Sequence, residues 1–174
     1  IGTTAIQMVK AFGATAYATA GTDGKVRLCE SLGAKRAINY KTEDFEAEMK
    51  AEGGVDLVLD MVGGPYFSKN LNILNDLGRL VYIAFLQGAK AEGDLSRIMM
   101  KRLTITGSTL RIRTDAHKAQ LAASVERNVW PWIADGRFKP LIEHVFPAAE
   151  ADAAHAAMDG GAHAGKIILS FAEA

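Results

Sequence analysis

The sequence predicts an α/β fold, a doubly wound parallel sheet covered by helices on both faces. Three observations predict it. Strand-like and helix-like segments alternate through the first 111 residues. The strand segments are short and continuously apolar, as in Val55–Leu59 and Leu80–Ala84, which suits burial on both sides of a parallel sheet. Glycines stand where helices must stop, at Gly13 and Gly33.

The elements follow in order. Ile1, Ala5, Met8, Val9 and Phe12 share one stripe of an opening helix. Gly13 ends it, and Ala14–Ala20 follows as a strand. After the turn "GTDG", Lys25–Ala34 reads as a second helix and Arg36–Tyr40 as a short strand. "TEDFEAEMKAEGG" is an acidic-headed helix, its early carboxylates facing the positive end of the helix dipole. Val55–Gly64 is a strand running into a glycine-rich turn. "PYFSKNLNILNDLG" reads as helix, with Pro65 tolerated in the first turn. Arg79–Phe85 is a strand, "LSRIMMKR" a short helix, and Leu103–Arg111 a strand plus loop. A long helix, "DAHKAQLAASVERNVWPWIADG", bends or breaks at Pro131. The tail carries "EHVFP", a helix "AEADAAHAAMDGG" and a last strand "KIILSF". From about residue 112 the chain is rich in Ala and His and no longer reads as simple βαβ units.

Composition bounds the function. The 174 residues, 49% hydrophobic, suffice for one domain or slightly more. Twenty basic residues face twenty acidic ones, so no nucleic-acid footprint is expected. No run nears the ~18 apolar residues of a membrane span, so no membrane partner is expected. Cys29 is alone and suits a reducing compartment. The expected location is cytoplasmic.

A helix that opens just after a glycine in such a sheet is the phosphate end of a Rossmann-like dinucleotide fold. Gly2, followed by Thr3, is the candidate final glycine of that loop; a flexible chain end is the other reading of Gly2. The expectation is a sheet lacking its first strand, with whatever preceded it also missing. That strand is central in the usual order, so its two neighbours would expose unpaired edges. A tail segment, a partner chain or direct closure of the neighbours could fill the gap.

A site for an unphosphorylated ribose wants Asp or Glu at the end of the second strand. Gly21 stands there instead and leaves room for a 2′-phosphate. Thr22 and Lys25 supply a hydroxyl and a cation. Asp23 could pair with Lys25 or repel the phosphate. The alternative is that Lys25 is solvated and Tyr40 merely half-buried. The loops at the carboxyl ends of the strands, Met61–Gly64, Ala84–Gln87 and Ser108–Arg111, should line the cofactor crevice. Val62, Gly63 and Ala84 lie in them. Gly63 and Gly64 allow close backbone approach, or form an ordinary strand–helix turn.

Hydride transfer needs little protein acid–base chemistry, so no catalytic residue is expected. There is no G-x-S-x-G, and Tyr66 and Lys69 miss the Tyr-x-x-x-Lys spacing. His117, His144, His155 and His163 are scattered, although His155 and His163 flank one turn; no metal is expected. Cys29, Trp130 and Trp132 read as packing residues.

Several blocks occur in order: Gly2–Gln7, Ala18–Lys25, Leu32–Phe45, Val55–Gly64, Gly78–Glu92, Lys101–Arg111 and His163–Leu169. Over essentially its whole length the chain resembles the C-terminal half of the zeta-crystallin-like quinone oxidoreductases, of the medium-chain dehydrogenase/reductase superfamily. The resemblance implies an NADP(H)-binding Rossmann domain over residues 1–135. Residues 136–174 would complete a catalytic domain whose other part, about 130 to 150 residues, is missing from the chain. It implies that Lys25 and Tyr40 contact the 2′-phosphate of NADPH. Phe85 and Leu86 would lie by the nicotinamide ribose, and Thr109, Leu110 and Arg111 near the nicotinamide. Lys166 is a further candidate. The implied activity is zinc-independent hydride transfer from NADPH to a quinone or conjugated carbonyl. The implied assembly is a homodimer joined through the edge strand Leu103–Ser108. An enoyl reductase, or a non-catalytic NADPH-binding or dimerisation module, are the alternatives. The isolated chain is expected to bind cofactor poorly and to be inactive.

Overall fold

The computed structural model describes residues 1–161 and 163–171. In chain order the first elements are α1 (Gly2–Ala11), β1 (Ala16–Ala20), α2 (Asp23–Ser31), β2 (Ala34–Asn39) and α3 (Phe45–Ala51). Then come β3 (Val55–Asp60), α4 (Phe67–Ile73), β4 (Leu74–Tyr82), α5 (Ser96–Met100) and β5 (Thr104–Gly107). The last are α6 (Asp115–Asn128), α7 (Trp130–Ala134), β6 (Ile142–Pro147), α8 (Ala151–Asp159) and β7 (Lys166–Ser170). Two compact units result: Ile1–Lys41 with Leu121–Ala174, and Thr42–Gln120. All strand pairs are parallel, in the orders β1-β2, β3-β4-β5 and β6-β7.

In the first unit the expected stripe of α1 is only partly covered: Ala5, Met8 and Val9 are half-buried, Ile1 and Phe12 are exposed, and the buried face is carried by Ile6 and Gln7. Ile6 is buried with Ala16 and Ala34, and Val9, Ala18, Cys29 and Leu32 pack around them. Gln7 is buried and ties α1 to the tail: it donates to Lys139 O at 3.0 Å and accepts from Lys139 N at 2.9 Å. Phe12 meets Trp132 edge-on, ring centroids 4.7 Å apart. Trp132 is therefore the packing residue expected of it, but Trp130 is exposed. Helix α6 ends just ahead of Pro131, and Pro131 sits in the first turn of α7, as its fixed φ and missing N–H require.

In the second unit Leu71, Leu74, Leu80 and Leu103 form the core, with Val55, Val58, Phe67, Tyr82 and Ile98 against them. Each fully buried Leu contributes roughly 1.5–3 kcal/mol of apolar transfer. Asp44 caps α3, accepting from Glu46 N and from Lys69 Nζ.

The structure departs from expectation at four places. Helix α4 stops at Ile73 rather than running to Gly78, because Lys101 Nζ donates to Leu71 O, Asn72 O and Leu74 O at 2.6–3.2 Å and so takes its last carbonyls. Leu74 then pairs with Val55 in the sheet. The tail does build a βαβ unit, β6-α8-β7; its strands are largely exposed, so no continuous apolar run announced them. Strand β3 is not buried on both faces: Leu57 and Leu59, which share a face, are 55% and 42% exposed. Finally, among the described residues β1 pairs with β2 alone and β3 with β4 alone, and β6 and β7 pair with each other.

Candidate functional site

The candidate residues fall into two groups, one in each unit. Gly2, Thr3, Gly21, Thr22, Lys25, Tyr40 and Lys166 belong to the first. Val62, Gly63, Ala84, Phe85, Leu86, Thr109, Leu110 and Arg111 belong to the second.

The first group centres on the carboxyl end of β1. Gly21 follows β1 directly, and Tyr40 follows β2; the Tyr40 amide donates to Ala20 O at 3.1 Å. This parallel register brings the two residues together. A Cβ on Gly21 would lie 2.5 Å from Tyr40 Oη and 3.0 Å from Tyr40 Cζ. The Tyr40 hydroxyl thus occupies the space of a side chain at position 21. Lys41 extends over the same point, its Cε 3.5 Å from that Cβ position. Tyr40 and Lys41 are both exposed. Thr22 caps α2 by accepting from Lys25 N at 3.3 Å. Lys25 Nζ donates to Gly161 O at 3.1 Å, so its ammonium is held by the loop after α8. Asp23 accepts from Asn39 Nδ2 at 2.7 Å, which directs its carboxylate toward β2.

The remaining members of this group belong to α1 and β7. Gly2 and Thr3 open α1; a Cβ on Gly2 would meet no atom within 4 Å, and the helix start, with Ile1 at the N-cap, has no side-chain cap. Lys166 opens β7, its amide donating to Leu141 O at 2.7 Å. Beside it Glu143 accepts from the amides of Ala164 and Gly165, which hold its carboxyl below the usual glutamate range.

The second group is built by Asp60, the last residue of β3. Its buried carboxylate accepts from Val62 N at 2.5 Å, Gly63 N at 3.1 Å and Asn70 Nδ2 at 2.6 Å. The chain can fold back this way because Gly63 adopts φ +99°. The loop after β4 lies along it: Leu86 N donates to Met61 O, Gln87 N to Val62 O, and Gly64 N to Gly88 O. A Cβ on Gly64 would collide with the Lys90 carbonyl. The glycine pair therefore serves a close backbone crossing within this unit. Phe85 stacks on Tyr82 at 5.1 Å, and Phe85 and Leu86 are 50% and 75% exposed. Burial, with the Asp60 charge second, pushes the Tyr82 hydroxyl above its ordinary value. Ala84 is half-buried, while Thr109, Leu110 and Arg111 form an exposed loop after β5, pinned by Arg113 Nε donating to Thr109 O.

Two contributors escaped the sequence reading. An Asp ending an apolar strand before a glycine pair was the available signal for Asp60. Nothing local marked Lys41 beyond its place after Tyr40. Cys29 behaves as expected of a packing residue, with burial raising its thiol pKa.

A parallel α/β chain with glycine turns at its strand ends has the architecture of a nucleotide-binding fold. The family model described as "zinc-binding dehydrogenase" matches residues 1–125. The chain belongs to that family, within the medium-chain dehydrogenase/reductase superfamily, and is quinone oxidoreductase-like. It is similar to quinone oxidoreductase-like protein 2 of Bos taurus, 28% identical over 90% of this chain and 46% of that one. It is also similar to a mycocerosic acid synthase-like polyketide synthase of Mycolicibacterium smegmatis, 30% identical over 97% of this chain and 8% of that one. Among solved structures, the quinone oxidoreductase of Thermus thermophilus, which was also solved in complex with NADPH, superposes with TM-score 0.83 at 30% identity. That match covers 98% of this chain and 54% of that one. The chain spans about half the length of such single-function relatives.

The family's name refers to zinc; among the described residues no group of three or more His, Cys, Asp or Glu that could hold a metal ion is found. At the end of β1 a glycine stands where an acid would face an unphosphorylated ribose, with the Tyr40 hydroxyl and the Lys41 side chain beside it. No helix among the described residues is long and apolar enough to cross a membrane.

Proposed function

We propose that this chain is the cofactor-binding part of an NADPH-dependent oxidoreductase that reduces a quinone or related conjugated carbonyl without zinc. The observation that carries the reading is Gly21 closed over by Tyr40. An acid there would hydrogen-bond an unphosphorylated ribose; the glycine gives that space to a hydroxyl, and Lys25 and Lys41 add positive charge nearby. When bound, NADPH would supply a hydride, which carries two electrons and one hydrogen to the acceptor, and the one further proton comes from water. Gly2 and Thr3 offer helix-start amides to the pyrophosphate. Val62, Gly63 and Ala84 line the crevice, Phe85 and Leu86 shield the nicotinamide ribose from water, and Thr109, Leu110 and Arg111 border the nicotinamide. Lys166 adds a cation to the nucleotide-binding surface. Residues 1–135 form the nucleotide domain and 136–174 join the catalytic domain. Among the described residues β5 pairs with β4 alone, and that edge supports a homodimer formed through Leu103–Ser108. A cytoplasmic location accords with the cofactor and the single cysteine.

The polyketide synthase relatives favour a second reading, reduction of an enoyl thioester by the same cofactor half. Oxidation of NADPH by the whole protein, followed with 1,4-benzoquinone and with crotonyl thioester in parallel, tests both. Turnover with the quinone supports the first reading and turnover with the thioester the second. Tight NADPH binding with no turnover on either would leave a non-catalytic binding module.

A further inference from the structure

The first unit contains a second cation that the family pattern did not bring forward. Lys25 was the expected partner of a 2′-phosphate, yet its ammonium already donates to Gly161 O. Lys41 is placed differently. Its stem crosses the Gly21 notch, and its ammonium has no hydrogen-bond or ion-pair partner among the described residues. The Tyr40 hydroxyl beside it also has none. The acid on the first turn of α2, Asp23, is engaged by Asn39. A hydroxyl and an ammonium thus flank a position with no side chain, and among the described residues no carboxylate pairs with that ammonium.

We infer that Lys41 is a specificity-determining residue, supplying with Tyr40 the charge-assisted contact that selects a nucleotide phosphorylated on its ribose. This rests on the NADPH reading above. A dianionic 2′-phosphate gains from a free ammonium, whereas a 2′-hydroxyl gains little from it. Lys25 becomes available only when its bond to Gly161 O is exchanged for a phosphate oxygen. Lys41 requires no such exchange, so it discriminates first.

The test uses the intact chain, ¹⁵N-labelled, titrated with adenosine 2′,5′-bisphosphate and with AMP while the amides of Gly21, Thr22 and Lys41 are followed. The variants are Lys41→Gln, Lys41→Arg and Lys25→Gln, with circular dichroism melts as the fold control; Lys41 is exposed and its removal should leave the melt unchanged. Lys41→Gln is expected to weaken the bisphosphate about tenfold, the worth of one charged hydrogen bond. AMP affinity should change by less than about twofold, and Lys41→Arg should restore the preference. Unchanged bisphosphate affinity in Lys41→Gln, with a loss in Lys25→Gln, overturns the role of Lys41 and leaves the NADPH reading standing. Equal loss of both nucleotides also overturns it. A wild-type chain that does not prefer the bisphosphate, or binds neither probe, overturns the NADPH reading itself.

Discussion

Tyr40 closes over Gly21 so tightly that a Cβ at position 21 would lie 2.5 Å from its hydroxyl oxygen. The two residues are coupled: the tyrosine can occupy its place only because position 21 has no side chain. Tyr40 is exposed and can swing outward, so a substitution at Gly21 displaces the ring without breaking the core. Gly21→Asp is expected to change stability by less than about 1 kcal/mol. It should invert nucleotide preference, weakening NADPH at least about tenfold relative to NADH through lost hydroxyl contact and new repulsion. Paired binding titrations with the two nucleotides check this.

Asp60 holds the turn that follows β3. Asp60→Ala strands the Val62 and Gly63 amides and the Asn70 side chain in a buried setting. The expected loss is about 2–3 kcal/mol. Asp60→Asn keeps an oxygen for the two amides and should cost less. Urea denaturation of both variants reads the difference.

Lys101 replaces the missing helix continuation of α4. Lys101→Met keeps the aliphatic stem but leaves the carbonyls of Leu71, Asn72 and Leu74 without their donor. A loss of about 1–3 kcal/mol is expected. Amide exchange should quicken first in the last turn of α4, which distinguishes a lost cap from general loosening.

Acid should destabilise the chain, and the sign follows from its carboxylates. Asp44 is lowered chiefly by its hydrogen bond from Lys69, Glu46 by Lys50, Asp135 by Arg137, and Glu143 by the Ala164 amide. Each folded group binds its proton less readily than in the unfolded chain. Their contribution is present above the ordinary carboxylate range, near about 4, and is lost as pH falls through the lowered folded values. Urea midpoints measured from pH 6 down to pH 2.5 should fall, and Asp44→Asn should flatten part of that fall. A midpoint independent of pH across this window would contradict the assignment.

Much of the fold could be read in advance because it depends on local pattern. The alternation of apolar strands with amphipathic helices and the glycines after them set β1 through β5, including the core position Leu80; the buried Ile6 and Leu71 were not singled out. The βαβ unit of the tail was missed because exposed strands such as β6 lack a periodic apolar signal. The end of α4 was missed because its cap comes from Lys101, 27 residues beyond Leu74. The glycine at the end of β1 was readable as the absence of an acid, but the partners of Gly21 were not.

By itself, then, the amino-acid order determined the parallel α/β class, the glycine turns at the strand ends and the family of the chain, since each rests on residue type and short-range spacing. Only the folded structure decided that Tyr40 and Lys41 share the Gly21 notch and that Lys25 is held by a carbonyl 136 residues away. Such contacts depend on the register of β1 against β2 and on where distant loops return. Those are settled by packing and hydrogen-bond geometry across the whole unit, which no local spacing encodes.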